Sequence, residues 1–280
     1  ALYIGNMAAG STLQQEHVSA LIADYCGLAS QNIPATRIEA ASASGGLAVR
    51  QAYMAIAGGF IDVAIVGGAE KMTDVSDSES SYAVSMGSDE QWESKAGATF
   101  ASLHAMMAQS HMQEFGTTRE QLSAVTEKNH YHASMNPIAQ FPFQLNAETV
   151  SKSGMVSSPL RMLDCAPNSD GAAAIVLCES EKAKGYTKKA VRIIGSGQAS
   201  DTLSLHHRNS IHSMKAISVA AKRAFEKAKK KPTDIDVLEV HDNFTISEII
   251  ALEEMGIFER GEAGPMSLLG ETRIGGKIAV

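Results

Sequence analysis

Two strand–helix–strand patterns, each with a matching elbow, point to an α/β architecture of two similar halves. In the first, strands at 38–41 and 63–66 flank a helix that opens at Gly45. The second of these strands is apolar on both faces, as a parallel strand covered by helices requires. In the second pattern, strands at 191–194 and 235–240 flank a helix over 213–230. Ser42 and His241 then occupy equivalent places, each where a strand runs into a helix at the carboxyl edge, and open α/β sheets bind ligands at that edge.

The elements follow in order. A first helix over 13–26 starts with Ser11 and Gln14 at capping-box spacing and stops before Gly27. The elbow Ser42-Ala-Ser44-Gly45-Gly46 comes next, with Ser44 read as the helix cap. Residues 73–97 turn polar and read as a loop or boundary. Helices are expected over 99–115 and 117–134, the latter with Thr117 and Glu120 as a capping box. Residues 136–155 carry little periodicity, and a strand returns at 172–178. After His241-Asp-Asn243-Phe244 a helix begins, with Thr245 and Glu248 as a third capping box and Phe244 and Ile249 as a staple.

Composition narrows the function. With 280 residues and 44% hydrophobic content, the chain can bury a sizeable core. A formal charge of -7 argues against nucleic-acid binding, and no apolar run reaches membrane-spanning length. Cys26, Cys165 and Cys178 form no C-x-x-C pair, which suits a reducing compartment and a cytoplasmic location. His130, His132, His206 and His207 lack a third ligand at convincing spacing, so no metal is expected. Cys165 is read as buried and inert, and Asp170 as satisfying turn backbone. The chain opens and closes in strand-like runs, and the expectation is a chain cut at both ends.

Three blocks carry a family resemblance: 37–72 around Ser42, 155–174 with Asp164-Cys-Ala-Pro and Asp170-Gly-Ala-Ala, and Glu239-Val-His241-Asp-Asn243-Phe244. Together with Gly97-Ala-Thr-Phe100 they resemble the thiolases, in particular the branch of archaeal acetoacetyl-CoA thiolases and sterol-carrier-protein-type thiolases. The resemblance implies a five-layered αβαβα fold of two similar halves with an inserted loop domain. Mapped here, the first half would span 1–74 and 158–185, the loop domain 75–157 and the second half 186–280. It implies reversible Claisen condensation of acyl-CoA thioesters, coenzyme A thioesters as substrates and no other cofactor. Homodimers or dimers of dimers are expected, and association with a hydroxymethylglutaryl-CoA synthase and a small bridging protein.

The same resemblance assigns roles. Position 42 is a cysteine in the family and is Ser42 here; His241 would polarise a thioester carbonyl; Asn243 and Phe244 would line the acyl and pantetheine end of the pocket. The family's Gly-His-Pro and Cys-x-Gly loops have no counterpart in the sequence. Ser42 is open to four readings: a deliberate replacement that traps ligand, a natural loss of activity, a working serine nucleophile, or a structural serine. Because a hydroxyl is far less acidic than a thiol, an inactive or impaired thiolase-type acetyltransferase is the first expectation. A non-catalytic acyl-CoA-binding or scaffold relative is the alternative.

Overall fold

In the computed structural model, which describes residues 1–280, the chain begins with β1 (Leu2–Gly5), α1 (Ala9–Thr12), α2 (Val18–Tyr25) and β2 (Ala35–Ile38). It continues through α3 (Ser44–Ala57), β3 (Val63–Glu70) and α4 (Asp77–Ser85). Next come α5 (Phe100–Phe115), α6 (Arg119–Ala133), α7 (Ala147–Lys152), β4 (Met155–Ser157) and β5 (Leu160–Arg161). The remainder is β6 (Gly171–Cys178), α8 (Ser180–Ala183), α9 (Lys215–Ala228), α10 (Thr245–Glu254) and α11 (Ala263–Leu268). These elements fall into two compact units, residues 1–87 with 168–194, and residues 88–167 with 195–280.

The first unit is a four-stranded sheet in the order β2-β1-β3-β6. β1 runs parallel to both β2 and β3, whereas β6 runs antiparallel to β3. Strand alternation sends side chains to opposite faces. Leu2 and Ile4 pack with Val18 and Ala23 of α2, and Tyr3 packs with Ala48 and Ala52 of α3. Helices therefore cover both faces, which explains why 63–66 is apolar throughout.

The second unit is built around α10, all ten of whose residues are buried. Ile246, Ile249, Ile250 and Leu252 meet Leu103 and Met107 of α5, Leu122 and Val125 of α6, and Phe258. Such complete burial of one helix requires neighbours on every side. Phe244 and Ile249, the expected staple pair, both belong to this core.

Several local expectations are corrected. The first helix starts at Val18 and not at 13, because Gln14 takes a left-handed conformation (φ 53°) after the short turn α1. The polar run 73–97 contains α4, held by a Ser76–Glu79 capping box whose serine-rich composition masked it. The box before α6 is Thr118–Gln121; the Thr117 hydroxyl bonds His111 Nδ1 at 2.7 Å instead. Thr245 is the first residue of α10 rather than its cap, its hydroxyl donating to Asp164 Oδ1 at 3.4 Å. Residues 191–194 and 235–240 are not strands. Val191 and Val237 are 95% and 67% exposed, and a single bridge between Val237 and Ala279 is the only pairing there. A strand needs a neighbour's ladder to accept its amides.

Candidate functional site

In the first unit β2 ends at Ile38, and residues 39–43 make the elbow before α3. Ala41 sits at φ 48°, a region that L-residues occupy at a cost. The Ser44 hydroxyl stabilises it by donating to Ala41 O at 2.6 Å and accepting from Ala40 N at 2.9 Å. Ser44 is thus the elbow's brace and not a helix cap, and it is buried. No side chain caps α3. Ser44 N donates to Ala41 O at 3.1 Å, which leaves the Gly45 and Gly46 amides to face an anion, and the helix dipole favours negative charge there. Ser42 itself is exposed.

A cavity of about 500 Å³ opens at this elbow, lined by Ser42, Ser44 and Gly45 and by residues 5–8. Glu70 also lines it. The carboxylate accepts from Asn6 Nδ2 at 2.8 Å, Met7 N at 2.8 Å and Ala8 N at 3.1 Å. Arg37 adds a bond to Met7 O at 3.0 Å and pairs with Glu16 at 2.8 Å. Gly5 lets β1 reach the elbow, since a Cβ there would lie 2.6 Å from Gly45 N and from Ser44 C. Asp170 accepts from Met72 N and from the Thr73 hydroxyl and pairs with Lys71, so it fixes the loop after β3. These bonds, led by Lys71, hold its carboxyl well below the usual carboxylate range.

In the second unit His241, Asp242, Asn243 and Phe244 form the lead into α10. Three ties hold this segment. Asn243 O accepts from Ala166 N at 2.9 Å, and Phe244 bridges Cys165. Asp242 Oδ2 accepts from Asn129 Nδ2 at 2.7 Å. Thr245 reaches Asp164, whose carboxylate is buried and gripped by both terminal nitrogens of Arg119. Asn129 also donates to Glu248 Oε2 at 3.0 Å, and Glu248 Oε1 meets Lys128 Nζ at 2.9 Å.

His241 is exposed, and Asn243 is half-buried. The His241 ring and the Asn243 side-chain amide make no hydrogen bond within the chain. Protein crowding around His241 lowers its pKa below the ordinary value, with Asp242 opposing weakly. At neutral pH the ring is a neutral donor and acceptor. Phe244 is 6% exposed and stacks on His104, with ring centroids 4.3 Å apart.

Ser42 therefore belongs to the first unit, and His241, Asn243 and Phe244 to the second. Cys165 is partly buried, and that burial pushes its thiol up to about 11, so it is unreactive at neutral pH. The His130 and His132 rings bond the backbone carbonyls of Phe143 and Val280. Sequence reasoning missed His104, Asn129 and Lys128. His104 lies four residues after Phe100, one helical turn on, and that spacing was the one available signal. Glu248 was read as a cap residue and is a buried ion-pair partner.

Residues 1–181 match the family model described as thiolase, N-terminal domain, and residues 197–280 match thiolase C-terminal domain-like. The chain is 52% identical over 280 residues to an acetyl-CoA acetyltransferase of Methanothermobacter thermautotrophicus, covering 100% of this chain and 72% of that protein. It is 52% identical over 265 residues to the acetyl-CoA acetyltransferase of Methanocaldococcus jannaschii, covering 94% of this chain and 67% of that one. Among solved structures it is similar to an Ltp2-ChsH2(DUF35) aldolase, at a TM-score of 0.80 and 26% identity, covering 100% of this chain and 72% of that chain.

Proposed function

This chain belongs to the thiolase family, and we propose that it is an acetyl-CoA acetyltransferase whose nucleophile position is held by Ser42. The observation that carries the reading is the braced elbow at the uncapped start of α3, on a chain 52% identical throughout to archaeal enzymes of that name. Thiolase chemistry needs a nucleophile beside donors that stabilise an oxyanion. With cysteine at position 42, the thiolate attacks the thioester carbonyl of acetyl-CoA, the carbon–sulfur bond to CoA breaks, and the CoA thiolate leaves and takes up the proton that the cysteine thiol gave up. A second acetyl-CoA then loses a Cα proton to a general base, its enolate attacks the enzyme-bound acetyl carbon, and that proton ends on the released enzyme sulfur. The new carbon–carbon bond forms acetoacetyl-CoA and releases the enzyme sulfur; thiolysis is the reverse.

In this reading the Gly45 and Gly46 amides of α3 support the oxyanion of the acylation step. His241 donates to a thioester carbonyl, neutral at working pH, while Asn243 and Phe244 receive the acyl and pantetheine end. The Ser42 hydroxyl ionises far less readily than a thiol, so this chain holds substrate and turns it over poorly. The substrates are coenzyme A thioesters with no further cofactor. A homodimer or dimer of dimers in the cytoplasm, serving lipid synthesis beside a hydroxymethylglutaryl-CoA synthase and a bridging protein, completes the proposal.

A second reading is favoured by Ser42 alone: a non-catalytic relative that binds acyl-CoA or scaffolds a partner. Thiolysis of acetoacetyl-CoA, measured on the full chain with Ser42 and with Ser42→Cys, separates the two. The enzyme reading expects Ser42→Cys to turn over well above the Ser42 form, while the lack of a Gly-His-Pro and a Cys-x-Gly loop holds it below a complete thiolase. If Ser42→Cys binds acetyl-CoA but turns nothing over, the scaffold reading replaces it.

A further inference from the structure

We infer that His104 is a substrate-binding residue, its Nε2 accepting a hydrogen bond from the pantetheine amide N–H nearest the sulfur of a bound acyl-CoA. The inference rests on the acyl-CoA reading of the Phe244 segment and deepens it. His104 lies in the second turn of α5 and is 7% exposed. Its Nδ1 is 2.9 Å from Phe100 O, and a carbonyl oxygen can only accept. Nδ1 therefore carries the proton, and Nε2 presents a lone pair. That nitrogen makes no hydrogen bond within the chain.

The ring cannot turn away to find a partner. It stacks on Phe244 at 4.3 Å with planes 27° apart, and Phe100 closes in edge-on at 4.6 Å. Burial lowers its pKa to about 4, and the charges of His241 and Arg208 oppose protonation further. At neutral pH Nε2 is a fixed, uncharged acceptor beside the segment that carries His241 and Asn243. The residue is 7% exposed and its ring is fixed, so a ligand that reaches Phe244 finds an acceptor already oriented and has only water to displace from it.

The required ligand has an N–H or O–H within an otherwise apolar stretch. The acetyl and thioester groups of acetyl-CoA contain no such donor. The amide nearest the sulfur is the first donor along the arm, flanked by methylene groups that suit Phe244 and Phe100.

Calorimetric binding to the full chain with Ser42, which in the acyl-CoA reading turns ligand over poorly, tests this. The ligands are acetyl-CoA and an analogue in which that amide N–H is an ester oxygen. The native protein is expected to bind the ester about tenfold more weakly, the measure of one neutral hydrogen bond. His104→Phe, which keeps a stacked ring and loses the acceptor, should bind the two ligands alike. His104→Gln, which returns an acceptor, should restore part of the preference. If the native protein does not distinguish the ligands, or His104→Phe distinguishes them equally, the inference falls and water or packing satisfies Nε2. Should His104→Phe not fold, the native comparison and His104→Gln still decide. Failure of the native protein to bind acetyl-CoA at all would instead overturn the acyl-CoA reading.

Discussion

Lys128 and Glu248 form an ion pair of 2.9 Å with side chains 0% and 1% exposed, in the core of the second unit. Lys128 Nζ also donates to Val280 O at 2.8 Å, and Asn129 links Glu248 to Asp242. A pair this deep gains little over an apolar pair, yet breaking it strands a buried charge. Lys128→Met should lower stability by about 3–5 kcal/mol in urea unfolding at pH 7. Burial already raises the Glu248 pKa, and Lys128 is the main force opposing it. Without Lys128 the folded state would hold the Glu248 proton to higher pH than the unfolded chain does. Stability of Lys128→Met should therefore fall as pH rises through the carboxylate range, and the loss should be smaller at pH 4 than at pH 7. Adding Glu248→Leu should recover most of the loss. An unchanged midpoint in Lys128→Met would refute the buried pair.

His104 gives stability a pH dependence of the opposite sense. Its folded pKa is about 4 against an ordinary 6.5. Between those values the unfolded chain binds a proton that the folded chain refuses, so stability falls as pH falls from 6.5 towards 4. The contribution is at most about 3 kcal/mol. His104→Phe removes it, so the stability lost by the native chain between pH 7.5 and 4.5 should exceed that lost by the variant. Equal losses would show that His104 titrates normally.

The approach of β1 to the Ser42 elbow makes two glycines unequal. A Cβ on Gly5 meets Gly45 N and Ser44 C at 2.6 Å, whereas one on Gly46, inside α3, meets nothing within 4 Å. Gly5→Ala should lower the melting temperature, by an overpacking cost of about 1–3 kcal/mol, and disturb the elbow. Gly46→Ala should raise it, by up to about 1 kcal/mol of helix propensity. Thermal unfolding of both variants checks the contrast, and a neutral Gly5→Ala would mean the elbow is looser than described.

How much of this was legible in the sequence depends on the range of the interaction. The strand at 63–66, the helix from the elbow and the Thr99 start of α5 rest on local pattern, and all three form. Ser42 stands at an elbow that small residues mark between a strand and a helix, whereas His241 leads into α10 without the strand expected before it. Capping boxes proved less secure. Ser76–Glu79 forms one inside a polar run that hides it, and Thr245–Glu248 has the spacing of one although Asp164 and Lys128 claim those side chains. Partners 81 and 120 residues away leave no local trace. His104 shows only its local spacing from Phe100, since Phe244, which gives it meaning, lies 140 residues further on. Residues 191–194 and 235–240 have strand-like composition but, beyond the single Val237–Ala279 bridge, no neighbouring ladder to join.

The covalent step gives the most direct test of the thiolase reading. The full chain with Ser42→Cys and the chain with Ser42 are each incubated with acetyl-CoA, quenched in acid and mapped by peptide mass spectrometry. A single acetyl group on residue 42 of the Ser42→Cys form, discharged by added coenzyme A and absent from the Ser42 form, is the expected result. Acetylation elsewhere, or none on residue 42 of the Ser42→Cys form despite measured binding of acetyl-CoA, would contradict it.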